Sequence, residues 1–323
     1  MKTILSLAIL SALTASVFAQ GSLTPPAGVP APVFKTLDQI YDKVAASEAR
    51  TPLIAGQSGV TVDANGTINI SQPGSYYLTR NLTLSVAANG ITISSDDVTV
   101  DLNGFTIKNT SNATTGSGIR ILGTNRSNLT IRNGHIRGNV SYSISTNTYT
   151  GGGFASGIDA PSGVTFSSVR VSNISVSGCY VSGIDLATQQ NTCVESCSVR
   201  EVKGLGIVAG TVSKSTTEFT SLTGINANSV SDCSARATGG NGISGQVVQN
   251  STGVGVLAGI AVNSSVTNSY GESSSNGSGI TASTASFCRG KSDGGLAISA
   301  SIAIGCTTAG GTINSPEKHL GTP

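Results

Sequence analysis

A period of 18 residues constrains this chain more than any other feature. Cys179, Cys197, Ser215, Cys233, Ser251, Ser269, Cys288 and Cys306 follow one another at steps of 18 residues, with one step of 19. Three places ahead of each stand Val176, Val194, Val212, Val230, Val248, Val266, Ala285 and Ala303. Serine is so common in this chain that the first column alone would mean little. A second column of Val and Ala, in phase with the first, is much harder to obtain without a repeat. A fixed period of roughly 20 residues marks a solenoid, each repeat being one coil laid on the last.

What lies between the columns selects the kind of solenoid. A Gly-Ile or Gly-Leu pair recurs as Gly206-Ile207, Gly224-Ile225, Gly242-Ile243, Gly259-Ile260, Gly279-Ile280 and Gly295-Leu296. Short runs such as Cys197-Ser198-Val199 alternate with period two, as strands with one face in and one face out do. Helical repeats need long stretches of Leu, Ala, Glu and Lys at helical spacing, and these are missing. Gly, Asn, Ser and Asp mark the turns. The reading is an all-β parallel β-helix, with coils about 4.8 Å apart so that like residues stack on like. Charged residues make up only 11% of the chain. That poverty suits a stack, because a repeated charge would face its own copy one coil away. A formal net charge of +2 without a basic cluster gives no case for nucleic acid.

Lys2, an apolar run over residues 4–13 and Val17-Phe18-Ala19 read as a secretory signal peptide cleaved after Ala19. No later segment is apolar enough to cross a bilayer. The expected location is therefore outside the cell, at its surface or in a periplasm. Residues 20–57 form a Pro-rich spacer with Pro25, Pro26, Pro30 and Pro32, then an amphipathic helix over residues 38–49 carrying Leu37, Ile40, Tyr41 and Val44 on one face. That helix is expected to cap the open end of the solenoid, self-association being its other role. The β-helix itself is expected over residues 58–312, with a tail at 313–323. Five of the six cysteines lie in the ladder. Stacked side chains point the same way, which disfavours bridging, so buried thiols are preferred over disulfides.

The early coils are longer. Gly90-Ile91, Gly118-Ile119, Gly157-Ile158 and Gly183-Ile184 stand 28, 39 and 26 residues apart. Val98-Thr99-Val100-Asp101-Leu102-Asn103-Gly104 and Leu129-Thr130-Ile131-Arg132-Asn133-Gly134 are two copies of one unit. These stretches resemble the right-handed parallel β-helix repeats of the pectin-lyase-like superfamily, over roughly residues 66–312. The leader elements Gly21-Ser22-Leu23-Thr24-Pro25-Pro26, Lys35-Thr36-Leu37-Asp38-Gln39-Ile40 and Arg50-Thr51-Pro52 are similar to those of secreted bacterial β-helix proteins without an assigned activity. The resemblance implies a right-handed coil. It does not choose among lyases, glycosidases, epimerases, adhesins and tailspikes.

The motifs of the superfamily's hydrolases are missing, and the one acid pair, Asp96-Asp97, precedes a strand as a turn would. His135 reads as an exposed residue of an Asn-Gly turn. The residue after each Gly-Ile reads Thr92, Arg120, Asp159, Asp185, Val208, Asn226, Ser244, Ala261 and Thr281. Charge appears there in three consecutive coils only. In register, Arg120, Asp159 and Asp185 would stack, and two adjacent carboxylates need a cation or the arginine beside them. Ca²⁺, a hard cation taking oxygen ligands, would suit them. For such a cluster the resemblance implies pectate-lyase-like chemistry, in which Ca²⁺ holds an acidic sugar and an arginine takes its α-proton. The insertion at residues 139–154 carries Tyr142, Tyr149 and Phe154, rings that could wall a groove and stack on sugar. Two classes stay open. One is a rod that binds extended polysaccharide or cell-envelope glycan. The other is a lyase acting on acidic glycans.

Overall fold

The computed structural model describes residues 36, 37, 39, 49–160, 165–188 and 191–318. The expected signal peptide, the helix over residues 38–49 and the final residues of the tail lie outside or almost outside them. At the edge of that helix, Thr36 and Gln39 exchange hydrogen bonds between backbone N–H and side-chain oxygen, a reciprocal helix-start pairing.

From Thr51 onward the chain is a parallel β-helix. Three sheets run along it, each built from one strand segment per coil. The first holds Ile68–Ile70, Ile91–Ile93, Ser117–Ile121, Ser156–Asp159 and Ser182–Asp185, all paired in parallel. The second runs through Gly74–Tyr77, Val98–Asp101 and the opening half of Leu129–Arg137. The third begins with Leu82–Leu84 and Thr106–Asn109 and continues through the closing half of Leu129–Arg137. In Leu129–Arg137 and Val169–Ser177 the second and third sheets share a strand. From Leu205–Ser213 onward it is the first and second that share one. That change of partner accompanies the shortening of the coil to 18 residues.

The core is three stacks of inward side chains. An isoleucine column descends the first sheet from Ile68 to Ile313, its members at most 9% exposed. The second sheet contributes Val100, Ile131, Val171, Val194, Val212 and their successors to Ala303. The third sheet tapers: Leu82, Ile107, Ile136, Val176, Val199, Thr217, Ala235, then Gly253, Gly271 and Gly290. The glycines of the Gly-Ile pairs face this column. A Cβ on Gly183 would lie 2.3 Å from Val199 Cγ1, and one on Gly242 would lie 2.4 Å from the backbone nitrogen of Val254. First and third sheets therefore touch backbone to side chain early in the solenoid and backbone to backbone late in it.

The Cys/Ser ladder is the corner between the second and third sheets. Ahead of each rung is a residue in the left-handed region, among them Lys214, Asp232, Asn250, Asn268 and Phe287. The rung's own side chain donates back to the carbonyl two residues earlier: Ser215 Oγ to Ser213 O at 2.8 Å, Cys233 Sγ to Ser231 O at 3.1 Å and Ser251 Oγ to Gln249 O at 2.7 Å. A serine rung also accepts the amide of the coil before it, as Ser215 does from Cys197 N and Ser251 from Cys233 N, both at 3.1 Å. From Cys197 onward each rung is a small buried donor, Ser or Cys, where the earlier coils have Gly134 and Ile174.

Two sequence expectations need correction. Cys179 is not a rung of this ladder, because Val176 pairs with Val199 while Val194 pairs with Val171 and Val212. Cys179 instead follows Gly178, a left-handed residue at the far end of the third sheet, and its carbonyl accepts Lys203 N. The same local turn chemistry, one corner away, mimicked the repeat. The last Gly-Ile equivalent is Ala297-Ile298, not Gly295-Leu296, since Ile280 pairs with Ile298 and Gly295 lies in a turn closed by Ser292 Oγ. All six cysteines are free thiols, and all but Cys193 are buried.

Candidate functional site

Two faces of the solenoid carry side chains able to do chemistry. On the first sheet, Asp159 pairs with Arg120 on one side and Asp185 on the other, and the column continues from Thr92 to Val208. Arg120, Asp159 and Asp185 are thus stacked on consecutive coils. Burial holds the Asp159 carboxyl above the usual carboxylate range. The Ser117 hydroxyl and Arg120 partly offset that rise, and Asp185 adds to it. Neither Asp159 Oδ1 nor Ser117 Oγ closes a hydrogen bond of normal geometry, although both are enclosed. Among the described residues Arg120 forms no ion pair with either acid. Asp185 Oδ1 accepts the Ala187 amide at 3.1 Å, which gives it a turn-forming contact. The described residues hold no group of three metal-ligating side chains.

The insertion folds as an antiparallel hairpin, Ser141–Ser143 with Thr148–Thr150. It does not wall the Arg120 column. Tyr142 and Tyr149 meet across the hairpin with ring centroids 4.8 Å apart, and Tyr142 stacks on Phe219 at 5.0 Å. Tyr149 Oη lies 2.9 Å from Thr238 Oγ1. Phe219 belongs to the third sheet and Thr238 follows its next strand, so the hairpin leans over the third sheet toward later coils. Phe154 is 0% exposed and belongs to the core, which removes it from any sugar-stacking role. Its ring fills the space where the insertion rejoins the coil.

The outer surface of the third sheet is the second candidate. A cleft of about 410 Å³ is lined by Asn81, Thr83, Thr106, Lys108, His135 and Arg137 among others. A neighbouring one of about 490 Å³ shares Lys108 and Arg137 and reaches the foot of the hairpin and Arg200. Farther along the same sheet, clefts lie over Arg200, Glu218 and Arg236, and over Tyr270 and Arg289. His135 sits within the strand Leu129–Arg137, exposed and paired with Thr106 and Ser175, rather than in a turn. Asp96 and Asp97 do serve a turn: Asp96 Oδ1 accepts Ser127 N at 3.0 Å and Asp97 Oδ1 accepts Asn128 Nδ2 at 2.8 Å. The basic face escaped the sequence reading because its members are far apart in the chain. The signal available was a cation one place after an inward aliphatic: Ile107-Lys108, Ile136-Arg137, Val199-Arg200.

No protein-family model and no curated protein matches the chain. Two solved structures are similar in part. The Dettilon tailspike protein is 12% identical, with 79% of this chain and 54% of that chain covered and a TM-score of 0.34. The A-module of the Azotobacter vinelandii mannuronan C-5 epimerase AlgE6 is 13% identical, with 77% and 90% covered and a TM-score of 0.31. The chain thus spans about half the length of the tailspike it matches. Superpositions this loose carry no argument about the site, and the β-helix rests on the strand pairing itself.

Proposed function

We propose that the chain is an exported rod that binds extended polysaccharide along its third sheet. One observation supports this above the rest: successive clefts, rich in hydroxyl, amide and cationic groups, follow that sheet from Asn81 to Arg289. A linear ligand laid along the axis would meet a new coil about every 4.8 Å, a step comparable to the length of one sugar ring. The Tyr142, Tyr149 and Phe219 rings beside the clefts would offer apolar faces to sugar. Export would follow from the leader at residues 1–19. Among the described residues no helix is long and apolar enough to cross a membrane. The test is an array of neutral and acidic polysaccharides probed with the purified full chain. Retention on one or more, reduced by Tyr142→Ala, supports the reading; no retention on any member refutes it.

A second reading is favoured by the Asp159 environment, an enclosed carboxyl with raised proton affinity beside an arginine. That reading makes the chain a lyase of acidic glycans, with Arg120, Asp159 and Asp185 at its centre. Ca²⁺ takes about six to eight oxygens, more than the two carboxylates supply by themselves. Release of unsaturated products from uronate polymers, lost on Asp159→Ala, would establish this activity.

A further inference from the structure

In one outer column of the third sheet Arg200, Arg236 and Lys291 each have an acid one coil away, and Lys108 and Arg137 do not. Arg200, Glu218 and Arg236 alternate in sign over three paired coils. Arg200 also pairs with Glu201 at 3.1 Å, and farther on Lys291 pairs with Glu272 at 2.6 Å. Lys108 and Arg137 break this pattern. They are register partners on adjacent strands, and His135 lies two places before Arg137 on the same outer face. Among the described residues neither cation forms an ion pair; no acid lines the cleft they share with His135, and Glu201, which lines the adjoining cleft, pairs with Arg200. Like charges one coil apart repel, and an anion between them would turn that repulsion into two charge-assisted hydrogen bonds.

We propose that the third sheet selects acidic polysaccharide, the carboxylate of a uronate unit being held by Lys108 and Arg137 with His135 beside it. This rests on the polysaccharide reading above and adds the ligand's charge. The cleft is continuous through Lys108 and Arg137 with the one at the foot of the hairpin, so a chain seated in it can run on into the next. Arg200, two coils beyond Arg137, offers a second cationic point on the same line.

Binding of polygalacturonate and alginate to the full chain tests this, with fully methyl-esterified polygalacturonate and single-stranded DNA as comparators. Wild type is expected to prefer the two acidic glycans over both comparators. The double variant Lys108→Gln/Arg137→Gln should lose about tenfold or more in affinity, the scale for two charge-assisted hydrogen bonds. Lys108→Arg/Arg137→Lys should keep most of it, and Arg80→Gln, away from the clefts proposed for polysaccharide, should change nothing. If the ester binds as well as the acid and the double variant keeps its affinity, charge selection is wrong while polysaccharide binding stands. If no glycan binds, both fall. DNA bound as tightly as uronate would replace the proposal with general polyanion binding. Should the glutamine pair fail to fold, the ester comparison still decides.

Discussion

Ser251 shows most sharply how single atoms hold a corner of this solenoid. Its hydroxyl donates to Gln249 O at 2.7 Å and accepts Cys233 N at 3.1 Å, in a buried position. Ser251→Ala should strand both groups and cost about 1–3 kcal/mol in denaturant unfolding. Ser251→Cys should cost clearly less, because thiols already serve neighbouring rungs; equal losses would disprove the donor role. Asp159 gives a second test. Its folded proton affinity is raised, so folding takes up a proton, and stability should fall as pH rises from the ordinary value of 3.8 through the folded one. Asp159→Asn should raise the melting temperature at neutral pH and flatten that slope. An unchanged or lower melting point would contradict a burial penalty on the charged carboxylate. The sequence showed the Cys/Ser column but not its cause, since nothing in a list of rungs reveals the left-handed residue beside each. For the same reason the 18-residue spacing places Cys179 on the ladder: Gly178 sets up the same local turn at another corner.

At the scale of elements, the hairpin and the thiol stack each make a measurable claim. Tyr142 on the hairpin and Phe219 on the third sheet are in stacked contact. A double-mutant cycle with Tyr142→Ala and Phe219→Ala should return a coupling of about 0.5–1.5 kcal/mol, whereas additivity would mean the hairpin is not seated there. Burial pushes the Cys179 thiol up to about 12 and those of Cys197 and Cys233 to about 11. Cys288 is raised as well, by its hydrogen bond to Cys306 and by burial; the same bond lowers Cys306, which is shielded by being fully buried. Alkylation of the native protein at mildly alkaline pH should therefore label the half-exposed Cys193 first, and all six thiols should react only after denaturation. Early labelling of Cys197 or Cys233 would contradict the core assignment. The register of the first sheet could be read from the Gly-Ile pairs because each glycine meets the next sheet too closely for a side chain. The hairpin's resting place could not, because no residue pattern inside a loop states which coil it leans on.

Over the whole solenoid, the third sheet's inner column runs from Leu82 through Val199 to Gly253, Gly271 and Gly290. Each buried methylene removed from a coil forfeits about 0.8 kcal/mol of hydrophobic stabilisation. The early coils should accordingly outlast the late ones, with hydrogen exchange slower over residues 91–177 than over 252–308; uniform protection would count against the taper. The same geometry sets the third sheet's outer surface apart as a continuous polar face beside the aromatic hairpin. A crystal structure of the protein with a uronate oligosaccharide tests that claim most directly. Sugar density along the third sheet, with a carboxylate between Lys108 and Arg137, is the expected result; density on the first sheet over Arg120, Asp159 and Asp185 would contradict it.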